Sequence, residues 1–246
     1  MALNQSYWSF IFMDVYVSQL NAIVDVLQDR ILTGFENIEE EAEKLSTEKW
    51  NEYMSSAGTG NEDPGDYAEH AEEVGISHFI LLKQIRQGII NLHAVFLFHL
   101  FEQHNMTFFR KEILSPQEER DSELFNNQEF KKLQKKGTEP TFHSGMINFE
   151  EFKNRLKNIG VEIDNFESWS KITELRQVAN AVKHAEGSSA GRLKKIRPDL
   201  FSNPELQNLE INNSLFNPKV YSPLSGEDIF LSLKDIHDYK DSIRSF

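Results

Sequence analysis

The chain has 246 residues, 39% of them hydrophobic, and a formal net charge of −13. That length holds one large domain or two small ones, with room for a sizeable core. With no cysteine there is no disulfide framework, no thiol catalysis and no cysteine-based zinc site. A negative balance also argues against broad, sequence-blind nucleic-acid binding, which relies on many cationic contacts to phosphate.

The charge is unevenly placed. Residues 1–75 carry 16 Asp+Glu against 3 Lys+Arg, a net of −13, so the remaining residues hold 23 acids and 23 bases. The whole negative excess therefore sits in the N-terminal third. A local basic patch stands against it: Lys183, Arg192, Lys194, Lys195 and Arg197, opposed in that window by Glu186.

The first segment, 6–53, reads as helix. Trp8, Phe12, Val15, Tyr16, Leu20, Ile23, Leu27 and Ile31 recur every three or four residues. Gly34 is expected to bend or break it, and 36–52 is acidic and solvated. The apolar run Trp8 to Val17 is short, holds Asp14 and follows no basic segment, so it is read as neither signal peptide nor membrane span. Residues 55–66, rich in Gly, Ser, Asp and Asn, form a loop.

A second long helical region is predicted from Tyr67 to about Leu114, with Ser77 or Gly75 as its candidate point of division and Ser115-Pro116 as its stop. Its middle, Phe79 to Phe101, is apolar on nearly every side, as in a central bundle helix. Residues 117–145 are polar, with a short Lys-rich helix at 130–136. Phe149, Phe152, Leu156 and Ile159 give an amphipathic helix over 148–159, and another spans 170–186, closed by Gly187. Gly187 to Arg192 reads as a small-residue turn. Beyond it Leu209 and Ile211 alternate, as do Ile229, Leu231 and Leu233, which predicts a small β-hairpin within 208–233. Ile236, Tyr239, Ile243 and Phe246 mark a last helix.

The expected architecture is mainly α: a helical bundle of long antiparallel helices with a minor β-hairpin near the C-terminus. One domain covers 1–246. It comprises an N-terminal helix and acidic segment (1–54), a loop (55–66), a helical core (67–201) and a small β/α appendage (202–246).

The 174–187 stretch carries the most chemistry. Leu175, Val178, Ala179 and Val182 mark its core side. Arg176, Asn180, Lys183 and His184 stand at offsets of four, seven and eight, which gather side chains onto one side of a helix. In metal-free RNA cleavage a base takes the ribose 2′-hydroxyl proton and an acid protonates the leaving 5′-oxygen. Histidine serves in either role. A guanidinium stabilises the charge that gathers on the phosphate oxygens, and an amide fixes the imidazole or holds a phosphate oxygen. Arg176, Asn180 and His184 are thus the candidate catalytic set, with Lys183, Arg192, Lys194 and Lys195 as phosphate or RNA contacts. Glu102, on the central helix, is placed to orient Arg176 from across the bundle. A symmetric dimer would bring two such faces together.

The same residues also read as an ordinary solvated helix face, with Lys183 and His184 complementing the helix dipole. On the central helix, Arg86, His93 and His104 share one stripe, and His99 and Glu102 another. His93, His99 and Glu102 could ligate zinc or iron, but they do not converge on one face. Buried, hydrogen-bonded histidines and no metal site are the expectation.

Leu100 to Gln103, Leu175-Arg176, Ala179 to His184, Glu186-Gly187 and Arg197 to Phe201 together resemble the HEPN superfamily, and within it uncharacterised bacterial HEPN-like proteins. The resemblance spans about residues 76–187. It implies an all-α bundle that dimerises and acts as a metal-independent endoribonuclease of a toxin–antitoxin or phage-defence system. Arg176 would then stabilise phosphate and His184 would be the acid or base. Expected partners are RNA, a second copy of the chain and an antitoxin or other protein; no cofactor, no metal and no membrane are expected, and the location is cytoplasmic. The family motif places about four to six residues between its Arg and His, whereas seven separate Arg176 from His184. The rival reading is a helical interaction module without chemistry, whose acidic N-terminal third binds a basic partner.

Overall fold

The three-and-four spacing of apolar residues is realised as helix throughout the computed structural model, which describes residues 5–56, 63–114, 149–185, 187–204 and 228–246. Helix α1 (Gln5–Phe10) passes through a π-helical turn (Ile11–Tyr16) into α2 (Val17–Val26). A second π turn (Leu27–Ile31) and a 3-10 turn (Leu32–Phe35) follow, so the bend falls at Gly34 as predicted. Helices α3 (Ile38–Ser56) and α4 (Pro64–Phe108) form a long antiparallel hairpin, and a π turn (Phe109–Ile113) extends α4. Asp63 starts α4 by accepting a hydrogen bond from the Gly65 N–H, and Pro64 fills the first turn, where no N–H is needed. Shorter helices complete the molecule: α5 (Phe149–Asn158), α6 (Trp169–His184), α7 (Ser188–Ile196) and α8 (Leu233–Ser245).

One core joins these elements. Tyr16, Leu20, Val24 and Leu27 from the N-terminal helices meet Ile90, Leu97, Phe98 and Phe101 of α4. Phe152 of α5, Leu175 and Val178 of α6, Leu193 of α7 and Tyr239 of α8 close around them. The N-terminal half of α4 lies outside this core and packs with α3 as a two-helix arm, burying Ile38, Ala42 and Ala71.

The arm is tight because of Gly75. A Cβ there would lie 2.9 Å from the Ala42 carbonyl oxygen and 2.9 Å from the Ser46 Cβ. Valine at this position must push α3 off α4. Gly75→Val is expected to cost about 1–3 kcal/mol by overpacking. Gly191→Ala, where nothing lies within 4 Å, is the control and should leave stability unchanged or raised. Thermal melts of both variants check this, and an unaltered Gly75→Val melt would remove the close packing.

Two local expectations are corrected. The predicted turn at 187–192 is helical: Gly187 stands at the N-terminal cap and α7 begins at Ser188. Burial of Ala190 and Leu193 against the core outweighs the helix cost of Gly191. Helix α6 likewise ends before Gly187, because Ala185 takes a positive φ of 48° with ψ −108°. That backbone region is strained for any residue with a Cβ.

The predicted β-hairpin is not shown. Residues 205–227 lie outside the described residues, as do 115–148 with the Lys-rich helix. The described remainder of the 208–233 region, 228–232, is a turn and bend at Asp228 and Ile229 followed by irregular chain, and Leu233 already belongs to α8. Its alternation is real, since Ile229 and Leu231 are buried. Its partner, however, is helix α4. The Asn91 amide donates to the Ile229 carbonyl (2.6 Å) and the Gln87 amide to the Leu231 carbonyl (3.0 Å). The Phe230 N–H donates to the Leu200 carbonyl at 2.9 Å. Side chains of a helix thus satisfy backbone groups that a second strand would otherwise pair.

The helical stretch Ser6–Ser56 contains an apolar window long enough to cross a membrane by length and composition, 22% of it buried. Its inward residues, Trp8, Tyr16, Leu20, Val24 and Leu27, belong to the buried core.

Candidate functional site

Helix α6 is held by its inner side. Ile172, Leu175, Val178, Ala179 and Ala181 are buried, which fixes the rotation of everything opposite them. Arg176 and Asn180 emerge half-buried, while Lys183 and His184 are exposed. At 100° per residue the four lie within about 100° of arc, and Arg176 and His184 are two turns, about 12 Å, apart. The strained Ala185 follows His184 directly, so the imidazole stands on the last helical residue.

Helix α7 contributes the other cations. Arg192 is exposed and its Nη2 donates to the Ser188 hydroxyl at 3.1 Å. Lys195 is exposed, and the Lys194 ammonium lies 5.5 Å from the centre of the Phe201 ring. Lys183, Arg192 and Lys195 are therefore presented to solvent from one helix end and its successor. Glu102 is half-buried on α4. Cavities of about 610, 770 and 760 Å3 are lined by other residues than Arg176, Asn180, Lys183 and His184.

Arg197 behaves differently from the patch in which the sequence places it. Its Nη1 donates to Glu174 Oε1 (2.7 Å), its Nε and Nη2 to the Asp199 carboxylate, and its Nη2 to Asp235 Oδ1 (3.0 Å). Glu174 Oε1 also accepts from the Tyr239 hydroxyl (2.8 Å) and from Lys171 Nζ (2.8 Å). Asp235 Oδ2 accepts from the Ser232 hydroxyl (2.6 Å) and amide (2.8 Å), completing the capping box of α8. Arg197 thus ties α6, the turn after α7 and α8 together and is committed to carboxylates.

These contacts move the ionisations. The Arg197 guanidinium holds the Asp199 carboxyl below its usual range, against the opposing effect of burial. Burial works against ionising Asp235, but the Ser232 hydroxyl and amide and Arg197 outweigh it and hold its carboxyl low. Hydrogen bonds to Asp199 and Asp235 keep Arg197 charged. Burial, then the neighbouring Glu174 carboxylate, pushes the Tyr239 hydroxyl up.

The central histidines, expected to be buried, are half-buried (His93, His104) or exposed (His99), and each has a partner of its own. His93 Nδ1 donates to the Ile89 carbonyl (2.8 Å), and the Gln103 amide donates to His99 Nε2 (2.9 Å). His104 stacks on Tyr16 with ring centres 4.2 Å apart, and burial lowers its pKa. Among the described residues no three His, Asp or Glu side chains are grouped to hold a metal ion.

The sequence reading overlooked the Glu174–Arg197–Asp235–Tyr239 cluster. Its one local signal was Ser232 three residues before Asp235 at a helix start. Comparison with protein-family models, curated proteins and solved structures found no match to this chain.

Proposed function

We propose that this mainly α protein is a HEPN-like, metal-independent endoribonuclease of a bacterial toxin–antitoxin or phage-defence system, working in the cytoplasm. One observation carries the reading: Arg176, Asn180, Lys183 and His184 share the side of α6 that faces away from the core. His184 takes the ribose 2′-hydroxyl proton or returns one to the leaving 5′-oxygen. Arg176 holds the phosphate oxygens on which charge develops, and Asn180 orients imidazole or phosphate. Lys183, Arg192, Lys194 and Lys195 draw in the strand, so a local basic patch supplies what the acidic chain as a whole does not. The purified protein is incubated with RNA in chelator, beside His184→Ala and Arg176→Ala. Cleavage by the wild type alone supports the proposal. Equal cleavage by all three, or none by the wild type, ends it.

The arm favours a second reading, a non-catalytic module for a basic partner. Glu39, Glu40, Glu41 and Glu43 on α3 and Glu69, Glu72 and Glu73 on α4 are all exposed. A basic protein that co-purifies stoichiometrically and is lost when Glu39, Glu40, Glu41 and Glu43 become Gln supports it. Retention by that variant refutes it.

A further inference from the structure

A helix that is apolar all round belongs in an interior, yet among the described residues α4 is covered on one side only. Its inner side buries Ile90, Ala94, Leu97 and Phe101. On the opposite side Leu81, Ile85, Leu92 and Phe96 are 52, 43, 59 and 51% exposed. At 100° per residue these four, with Gly88 and His99, fall within an arc of about 80° over about five turns. Asp, Glu, Lys and Arg are absent from that arc between residues 81 and 99, since Lys83 and Arg86 project elsewhere on the helix.

The stripe is self-complementary. Read against a reversed copy of itself, Leu81 falls opposite Phe96, Ile85 opposite Leu92 and Gly88 opposite Ile89, since each pair of numbers adds to 177. The centre of that register falls between Gly88, a residue costly in mid-helix, and Ile89, which packs toward the core beside the stripe. A Cβ at Gly88 would meet nothing within 4 Å in the protein itself. Its absence instead lets a second backbone approach at the crossing point.

We infer that a second copy of the chain covers this stripe, the two α4 helices crossing antiparallel about a two-fold axis at Gly88. Leu81 then packs on Phe96 of the partner subunit, and Ile85 on Leu92 of the partner subunit. Charge selects the direction. Residues 36–75, most of which form the arm, carry 13 Asp+Glu against 2 Lys+Arg, a net of −11, and an antiparallel pair carries its two arms to opposite ends, whereas a parallel pair sets them side by side. The acidic start of α4, with Asp66 and Glu69, also runs toward the end that carries exposed Arg110 and Lys111 on the partner subunit. A stable interface takes roughly 800 Å2 from each partner. A single helical stripe is at the small end, so a dissociation constant on the order of micromolar is expected. The inference does not rest on the ribonuclease reading: α6 packs on the inner side of α4, so this pair holds the two α6 polar faces apart instead of bringing them together.

The cysteine-free chain makes the test direct. Single cysteines are placed at Gly88 and Leu81 of the full-length protein and a pair at Leu81 and Phe96, followed by mild oxidation. Gly88→Cys should link to its own copy and Leu81→Cys should not, because the two residues 81 lie about 22 Å apart in this register. The Leu81→Cys/Phe96→Cys protein should again link. Sedimentation should show a concentration-dependent dimer that Leu92→Glu converts to monomer with an unchanged helical circular dichroism signal. A monomer at all concentrations, linking through Leu81→Cys alone, or flotation of a monomer with lipid vesicles that Leu92→Glu abolishes would each overturn it.

Discussion

Arg197→Met is expected to lower the unfolding free energy by about 3 kcal/mol, the scale for removing one partner of a largely buried ion cluster. The side chains of Glu174 and Asp235 are 14 and 13% exposed and that of Arg197 is 20% exposed. Methionine is of similar volume and removes the cation that bridges the two carboxylates among the described residues, while Lys171 still pairs with Glu174. The penalty comes from the charges left behind, so Arg197→Met together with Asp235→Asn should recover part of the loss. Denaturant midpoints on the two variants check it, and a midpoint equal to the wild type would dissolve the cluster as a stabilising element.

The same cluster sets a pH dependence. The folded-state pKa values of Asp199 and Asp235 are depressed. Their contribution is therefore complete above the unfolded carboxylate value of about 3.9. It is lost as pH falls through the lower folded values, because the unfolded chain then binds more protons than the native one. In Arg197→Met the Asp235 carboxyl keeps its burial and loses its cation, so acid unfolding should begin at higher pH. Melting temperature against pH for both proteins reads this directly.

On the proposed ribonuclease reading, His184→Ala is expected to slow RNA cleavage by about 10²–10⁴-fold, the range for a positioned acid or base. Arg176→Ala should cost about 10²–10³-fold, as for a lost transition-state contact. Arg176→Lys should not restore the rate, because a point charge lacks the guanidinium fork. The double variant should be little worse than His184→Ala, since groups acting as one unit are not additive. Lys183→Ala and Lys195→Ala should instead weaken RNA binding and flatten its salt dependence. Single-turnover cleavage separates the two classes, and a His184→Ala rate within twofold of wild type would dismiss the imidazole from the chemistry.

Much of the secondary structure was legible because it is written locally. The predicted helices at 148–159 and 170–186 and the last helix through Ile236, Tyr239 and Ile243 match α5, α6 and α8 to within a few residues. Each has one apolar side that a core must take up. The shared face of Arg176, Asn180, Lys183 and His184 was legible for the same reason. The errors arose where a pattern has more than one possible partner. The alternation at Ile229 and Leu231 reports a half-buried segment, and nothing in those residues says that Asn91 and Gln87 of a helix would satisfy its carbonyls. Gly187 signals a chain turn, but the positive φ fell on Ala185.

By itself the sequence determined the helical class, the rotation of α6 and the segregation of negative charge into the first 75 residues, all consequences of spacing and composition. Only the tertiary structure decided that Arg197, beside its neighbour Asp199, is taken up by Glu174 and Asp235, and that among the described residues the side of α4 carrying Leu81, Ile85, Leu92 and Phe96 stays open. Both follow from how segments far apart in the chain pack, where neither periodicity nor propensity reaches.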